Sequence, residues 1–125
     1  MKTLSCLLLL SAAYAPAATL FMGTYQDSII VFDETSGQIA DTIQLTTGLP
    51  SGLRLSQDKK TLYVTTGDHS GIEVIDVATR KITNHFQLNT PTKRIRFAAG
   101  AVPDPQGKLM YTVSTEMNKL ADRYE

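Results

Sequence analysis

The segment Ile30-Val31-Phe32-Asp33-Glu34-Thr35-Ser36-Gly37-Gln38-Ile39 returns 43 positions later as Glu73-Val74-Ile75-Asp76-Val77-Ala78-Thr79-Arg80-Lys81-Ile82. The register holds through Ile43-Gln44-Leu45 against Phe86-Gln87-Leu88. Leu53-Arg54-Leu55 and Ile95-Arg96-Phe97 keep nearly the same offset, and Thr61-Leu62-Tyr63-Val64 is echoed by Leu109-Met110-Tyr111-Thr112 after an insertion around Gly100 to Pro105. One supersecondary unit therefore recurs. A unit of this length built from short strands cannot bury its apolar faces alone, so it must stack on copies of itself.

Alternation of apolar and polar residues, rich in Val, Ile and Thr, predicts strands near 20–25, 28–33, 38–45, 52–56, 61–66, 71–76, 81–88, 93–98 and 108–114. Gly, Asp, Ser or Pro stands at most breaks, and helical periodicity is absent. Taken in fours, these strands make one complete unit, 52–88, preceded by three strands without an inner partner and followed by two. The expected fold is all-β: a β-propeller of four-stranded antiparallel blades, with about two and a half blades present, near 19–45, 52–88 and 93–125. A ring of six or seven blades needs on the order of 300 residues, so the segment reads as the N-terminal part of such a domain, and residues 118–125 carry no stop signal for a blade.

Residues 1–18 read as a secretory signal peptide. Lys2 supplies the positive end, Leu4 to Leu10 the apolar run, and Ala15-Pro16-Ala17-Ala18 the small residues of a cleavage site. The run is too short to span a bilayer, so no membrane span is expected once it is removed, and the product is expected in the periplasm or outside the cell. Cys6 leaves with the signal, and residues 19–125 contain no cysteine. That excludes disulfides, thiol nucleophiles and Cys-based zinc sites within them. Twelve Lys+Arg balance twelve Asp+Glu over the whole chain, which argues against nucleic acid as a partner.

Leu55-Ser56-Gln57-Asp58-Lys59-Lys60-Thr61-Leu62-Tyr63-Val64-Thr65-Thr66, followed by Gly71-Ile72-Glu73-Val74-Ile75-Asp76-Val77-Ala78-Thr79-Arg80-Lys81-Ile82, resembles the YVTN type of β-propeller repeat. There a strand pair of the form SPDGKxLYVAN leads into VSVIDTATxKV. The repeat is similar to WD40-like modules and to the propeller subunit of quinoprotein amine dehydrogenases, whose redox cofactors sit on other subunits. The resemblance thus implies partners rather than a bound cofactor, and none is expected here. Leu20-Phe21-Met22-Gly23-Thr24-Tyr25, with Ile29-Ile30-Val31-Phe32-Asp33 and Thr35-Ser36-Gly37, is similar to the opening of lactonase-type seven-bladed propellers, which hydrolyse sugar lactones. No catalytic residue of that family can be placed on these residues.

Asp33 and Asp76 recur at one turn position, where a carboxylate accepts backbone N–H groups, and are read as structural turn caps rather than metal ligands or acids. His69 follows Asp68 on a loop; a carboxylate there could orient its ring for use as a base or ligand, and the plain alternative is an exposed loop residue. The two histidines fit no metal template. Lys93, Arg94 and Arg96 form the only basic cluster, and Arg54 holds the repeat position of Arg96. Arg54, Arg96, Lys93 and His69 are therefore the candidate ligand- or partner-binding residues: on innermost strands the guanidinium forks face carboxylates or phosphates, or else make inter-blade salt bridges with Asp58, Asp104 or Glu116. No Gly-x-Ser-x-Gly occurs. The expectation is an exported binding or scaffold module, holding a protein partner or small ligand on one ring face, with no catalytic residue in this segment. The alternatives are a propeller subunit of an amine-dehydrogenase-like redox complex and a lactonase-like hydrolase.

Overall fold

A computed structural model describes residues 18–67 and 70–123. The first 17 residues of the expected signal peptide, and His69, lie outside them. Among the described residues nine strands follow one another: β1 (Thr19–Thr24), β2 (Ser28–Asp33), β3 (Gln38–Gln44), β4 (Pro50–Leu55), β5 (Thr61–Thr66), β6 (Gly71–Asp76), β7 (Lys81–Gln87), β8 (Lys93–Pro103) and β9 (Met110–Asn118). They form three antiparallel meanders in the order β1-β2-β3, β4-β5-β6-β7 and β8-β9. The grouping of three, four and two is the one expected.

The repeat is exact at the level of backbone devices. The Asp33 and Asp76 carbonyls accept the Gly37 and Arg80 amides at 2.9 and 2.8 Å, and both donors lie at positive φ, 65° and 58°. A bulge interrupts the ladder between Val31 and Phe32, and again 43 positions on between Val74 and Ile75. The Lys59 turn, φ 59°, recurs at Gly107, φ 68°, each amide bonded back to the residue three earlier, Ser56 and Asp104. Arg80 lacks glycine's freedom at its position; its guanidinium reaches across to the first sheet, 3.2 Å from the Ala40 carbonyl and 3.9 Å from the Asp41 carboxylate.

The sheets stack face to face in chain order. Ile29, Val31, Ile43 and Leu45 of the first sheet and its following link pack on Leu62, Val64 and Ile75 of the second, with Phe21, Val77 and Ile82 at the margin. Burying each such side chain stabilises by roughly 1.5–3 kcal/mol. A smaller core, Ile72, Phe97 and Ala101 with Leu88 and Met110, joins the second sheet to the third. β4 lies beside β1 as β8 lies beside β5. The two outer faces remain apolar and open: Leu20, Met22 and Ile39 are exposed on the first sheet, and Val102, Tyr111 and Val113 on the third.

Several expected boundaries shift by a residue or two, and two move farther. The strand expected to stop at 98 runs on to Pro103, because a bulge between Phe97 and Ala101 absorbs the insertion that read as a loop. Its partner reaches Asn118, where Arg94 still pairs with Met117 and Lys93 with Asn118.

The Asp33 carboxylate accepts the Ser36 amide at 2.8 Å and the Ser36 hydroxyl at 3.1 Å; Asp76 accepts the Thr79 amide and hydroxyl, both at 2.7 Å. The Ser36 amide, then its hydroxyl, holds Asp33 below the usual carboxylate range; for Asp76 the Thr79 hydroxyl leads and the amide follows. A depressed folded-state pKa stabilises above the unfolded value of about 4, and that stabilisation disappears as pH falls through the folded value. The melting temperature should therefore drop below about pH 4, and less steeply in the Asp33→Asn, Asp76→Asn double variant. Equal slopes for the two proteins would show that these turns do not drive the acid sensitivity.

Candidate functional site

One end of the stack gathers the β1–β2 and β5–β6 turns with the links that carry the chain from one sheet to the next. Here Asn89, on the link between β7 and β8, donates from Nδ2 to the Ser70 hydroxyl at 3.0 Å and accepts the Ile95 amide on Oδ1 at 2.8 Å. Thr90 closes a tight turn onto Lys93, its hydroxyl accepting the Lys93 amide at 3.0 Å. The Lys119 amide donates to the Thr92 carbonyl at 2.8 Å, which brings the end of β9 beside the same link. These bonds shape a cleft of about 230 Å³ lined by Asn89, Thr90, Lys93, Arg94 and Lys119. Three cationic side chains thus meet there, and the Glu116 carboxylate of β9 pairs with one of them, Lys93.

Of the four candidate residues His69 lies outside the described residues, and the other three do not converge on one site. Lys93 lines this cleft. Arg54, exposed on β4 opposite Tyr63, lines a separate cleft of about 230 Å³ at the other end of the stack, with Leu55, Gln57, Pro103, Asp104 and Pro105. Arg96 is exposed on β8 opposite Thr115. The expected ion pairs resolve differently: Glu116 takes Lys93, and no ion pair joins Arg54 to Asp104 although they share a cleft. Sequence reasoning missed Asn89 and Lys119. Their signal was faint, an Asn-Thr-Pro-Thr link before the basic run and a lysine just past the strand that pairs with it.

A second feature was also missed. Glu73, on β6, is fully buried between the first two sheets. Its Oε1 accepts the Thr46 and Thr47 amides, the latter at 2.7 Å, and both threonine hydroxyls at 3.1 Å. Oε2 has no hydrogen-bond partner among the described residues. The Thr47 and Thr66 hydroxyls bond each other beside it. Four donors on one oxygen pin the link between β3 and β4 to the second sheet. The repeat offered one clue, since the equivalent residue 43 positions earlier is Ile30.

Among the described residues no group of three or more His, Cys, Asp or Glu could hold a metal ion, and no helix is long and apolar enough to cross a membrane. No family model and no curated protein matches the chain. Among solved structures it is similar to the hydrazine synthase of Kuenenia stuttgartiensis, with 19% identity, a TM-score of 0.55, and coverage of 75% of this chain and 25% of that one. The chain spans about a quarter of that neighbour's length, and at this identity the likeness concerns the fold alone. What the fold defines is an all-β protein of stacked antiparallel meanders.

Proposed function

We propose that the three sheets are successive blades of a β-propeller of YVTN type, and that the chain is an exported binding module using the link-bearing face to hold a carboxylate-rich segment of a protein partner. The observation that carries the binding half is the convergence of Lys93, Arg94 and Lys119 on a cleft whose walls are fixed by Asn89 and Thr90. Cations on a preformed frame attract carboxylates at long range and hold them by charge-assisted hydrogen bonds. The blade half is supported by the repeated placing of β4 beside β1 and β8 beside β5, and by devices that recur at fixed offsets.

A dye-labelled hexaglutamate peptide tests the cleft. Anisotropy should show saturable binding at about 20 mM salt that weakens strongly by about 200 mM. The Lys93→Ala, Lys119→Ala double variant should bind about tenfold less tightly, as two exposed charge contacts of up to about 1 kcal/mol each would require. Binding that ignores both substitutions would remove the cleft from the proposal.

A further inference from the structure

The turn from β4 into β5 and the turn from β8 into β9 are closed bond for bond. The Ser56 amide donates to the Thr61 carbonyl at 2.8 Å and the Asp104 amide to the Leu109 carbonyl at 2.9 Å; the Lys59 and Gly107 amides return to the Ser56 and Asp104 carbonyls at 3.0 and 2.9 Å. The side chains repeat the scheme. The Ser56 hydroxyl accepts the Thr61 amide at 2.9 Å, and Asp104 Oδ1 accepts the Leu109 amide at 2.8 Å. A hydroxyl therefore suffices to close this turn. The carboxylate of Asp104 adds a charge and a second oxygen, and that oxygen, Oδ2, has no hydrogen-bond partner among the described residues.

This surplus charge lines a cleft of about 230 Å³ to which the second sheet contributes Arg54 and the third Asp104. The Arg54 guanidinium makes no hydrogen bond and no ion pair among the described residues. Two opposite charges thus share a cleft without closing on each other. Asp104 is fixed there: it is half-buried, anchored by its turn, and set between Pro103 and Pro105, whose rings hold the backbone on either side. Tyr63, opposite Arg54 across the ladder, carries its hydroxyl beside the same turn, 3.6 Å from where a Cβ on Gly107 would sit. Burial first, then the charges of Asp104 and Asp58, push that hydroxyl above the usual phenol range.

We propose that this cleft binds a small zwitterion of the apolar α-amino-acid class, its carboxylate on the Arg54 guanidinium and its ammonium on Oδ2 of Asp104. A planar guanidinium takes a carboxylate through two parallel bonds, and a carboxylate accepts from an ammonium in a charge-assisted bond. Leu55, Pro103 and Pro105 give the ligand's side chain apolar walls, and Gln57 adds an amide. At about 230 Å³ the space lies below the roughly 300–1,000 Å³ of pockets that hold drug-sized ligands, which limits the occupant to a molecule of single-residue size. The inference uses neither the basic cleft nor the propeller reading, so it stands or falls apart from both.

The probe is L-leucine, titrated into the isotope-labelled chain and followed by amide chemical shifts. Saturable shifts are expected at Gln57, Asp104 and Gly107, with Lys93 and its cleft undisturbed. Arg54→Gln and Asp104→Ser should each weaken binding by at least about tenfold, as loss of a hydrogen bond to a charged group does. Arg54 is exposed, and a serine already closes the equivalent turn at Ser56, so both variants should melt with the parent. Two analogues test the same contacts without altering the chain. Isocaproate, which lacks the ammonium, should bind the parent no better than leucine binds the Asp104→Ser variant; isoamylamine, which lacks the carboxylate, should bind it no better than leucine binds Arg54→Gln. Absence of saturable shifts, leucine binding indifferent to either substitution, or isocaproate binding as tightly as leucine, the mark of a bare anion site, would each overturn the proposal.

Discussion

Glu73→Ala should lower stability by about 3 kcal/mol, because it removes a fully buried side chain, leaving a cavity, and takes from the half-buried Thr46 and Thr47 amides the one acceptor they share. For a domain of this size the melting temperature should fall by about 15 °C. Two companion variants separate the causes. Glu73→Gln keeps an acceptor at Oε1 but loses the charge, which accounts for about half the strength of such bonds, so an intermediate loss is expected. Glu73→Ile restores the residue found at the equivalent position in the first sheet and fills the volume, yet leaves the donors orphaned. If the isoleucine variant melted with the parent, the carboxylate would not be what holds the link.

Gly71→Ala comes second. A Cβ at Gly71 would collide with the Thr66 hydroxyl and stand 3.0 Å from both Cβ and Oγ1 of Thr47. These atoms belong to the strand ladder and to the pinned link, so neither can move freely, and a cost of about 2 kcal/mol follows from overpacking. Thr47→Ala in the same chain should return part of it, a coupling that a double-mutant cycle measures. In the first sheet the equivalent residue is Ser28, which carries a Cβ there and whose hydroxyl bonds that of Thr24 at 2.7 Å. Ser28→Ala should therefore cost no more than about 1 kcal/mol. Equal effects at the two positions would mean that the close approach of Thr47 is not the reason for the glycine.

Strand positions were legible wherever alternation met turn chemistry. β2, β5 and β6 lie where the pattern put them, because Asp33, Asp58 and Asp76 fix the adjoining turns with side-chain bonds that sequence can announce. β8 was cut short in the reading because an Ala-Ala-Gly-Ala stretch carries no periodicity, and only its partner across the ladder shows that it stays extended. β4 starts two residues early, at Pro50, which needs no ladder donor at a strand's first position. Glu73 could not be read at all: an acid inside a strand looks like its wet side, and only the link arriving from another sheet makes it an interior acceptor. Lys119 was hidden for a similar reason, since 26 positions of chain separate it from Lys93 in sequence and a single backbone bond to Thr92 brings it near. Arg54 and Arg96 align in the sequence repeat, yet the ladders set Arg54 opposite Tyr63 and Arg96 opposite Thr115, so the two side chains have different surroundings.

The Leu45 amide bonds the Asp27 carbonyl at 2.8 Å, and the Leu88 amide bonds the Ser70 carbonyl at 3.0 Å, so each sheet hands the chain on through the same joint. Donor and acceptor are both displaced by 43 positions. Excising 46–88 would set Leu45 directly before Asn89, removing the Leu88–Ser70 joint whole and leaving the Leu45–Asp27 joint in its place. Thr46, Thr47 and Glu73 all fall within the excised stretch, so neither the link's donors nor their buried acceptor would be left behind. Joints of one kind spaced 43 residues apart make the whole repeat, rather than the single strand, the step in which such a chain changes length.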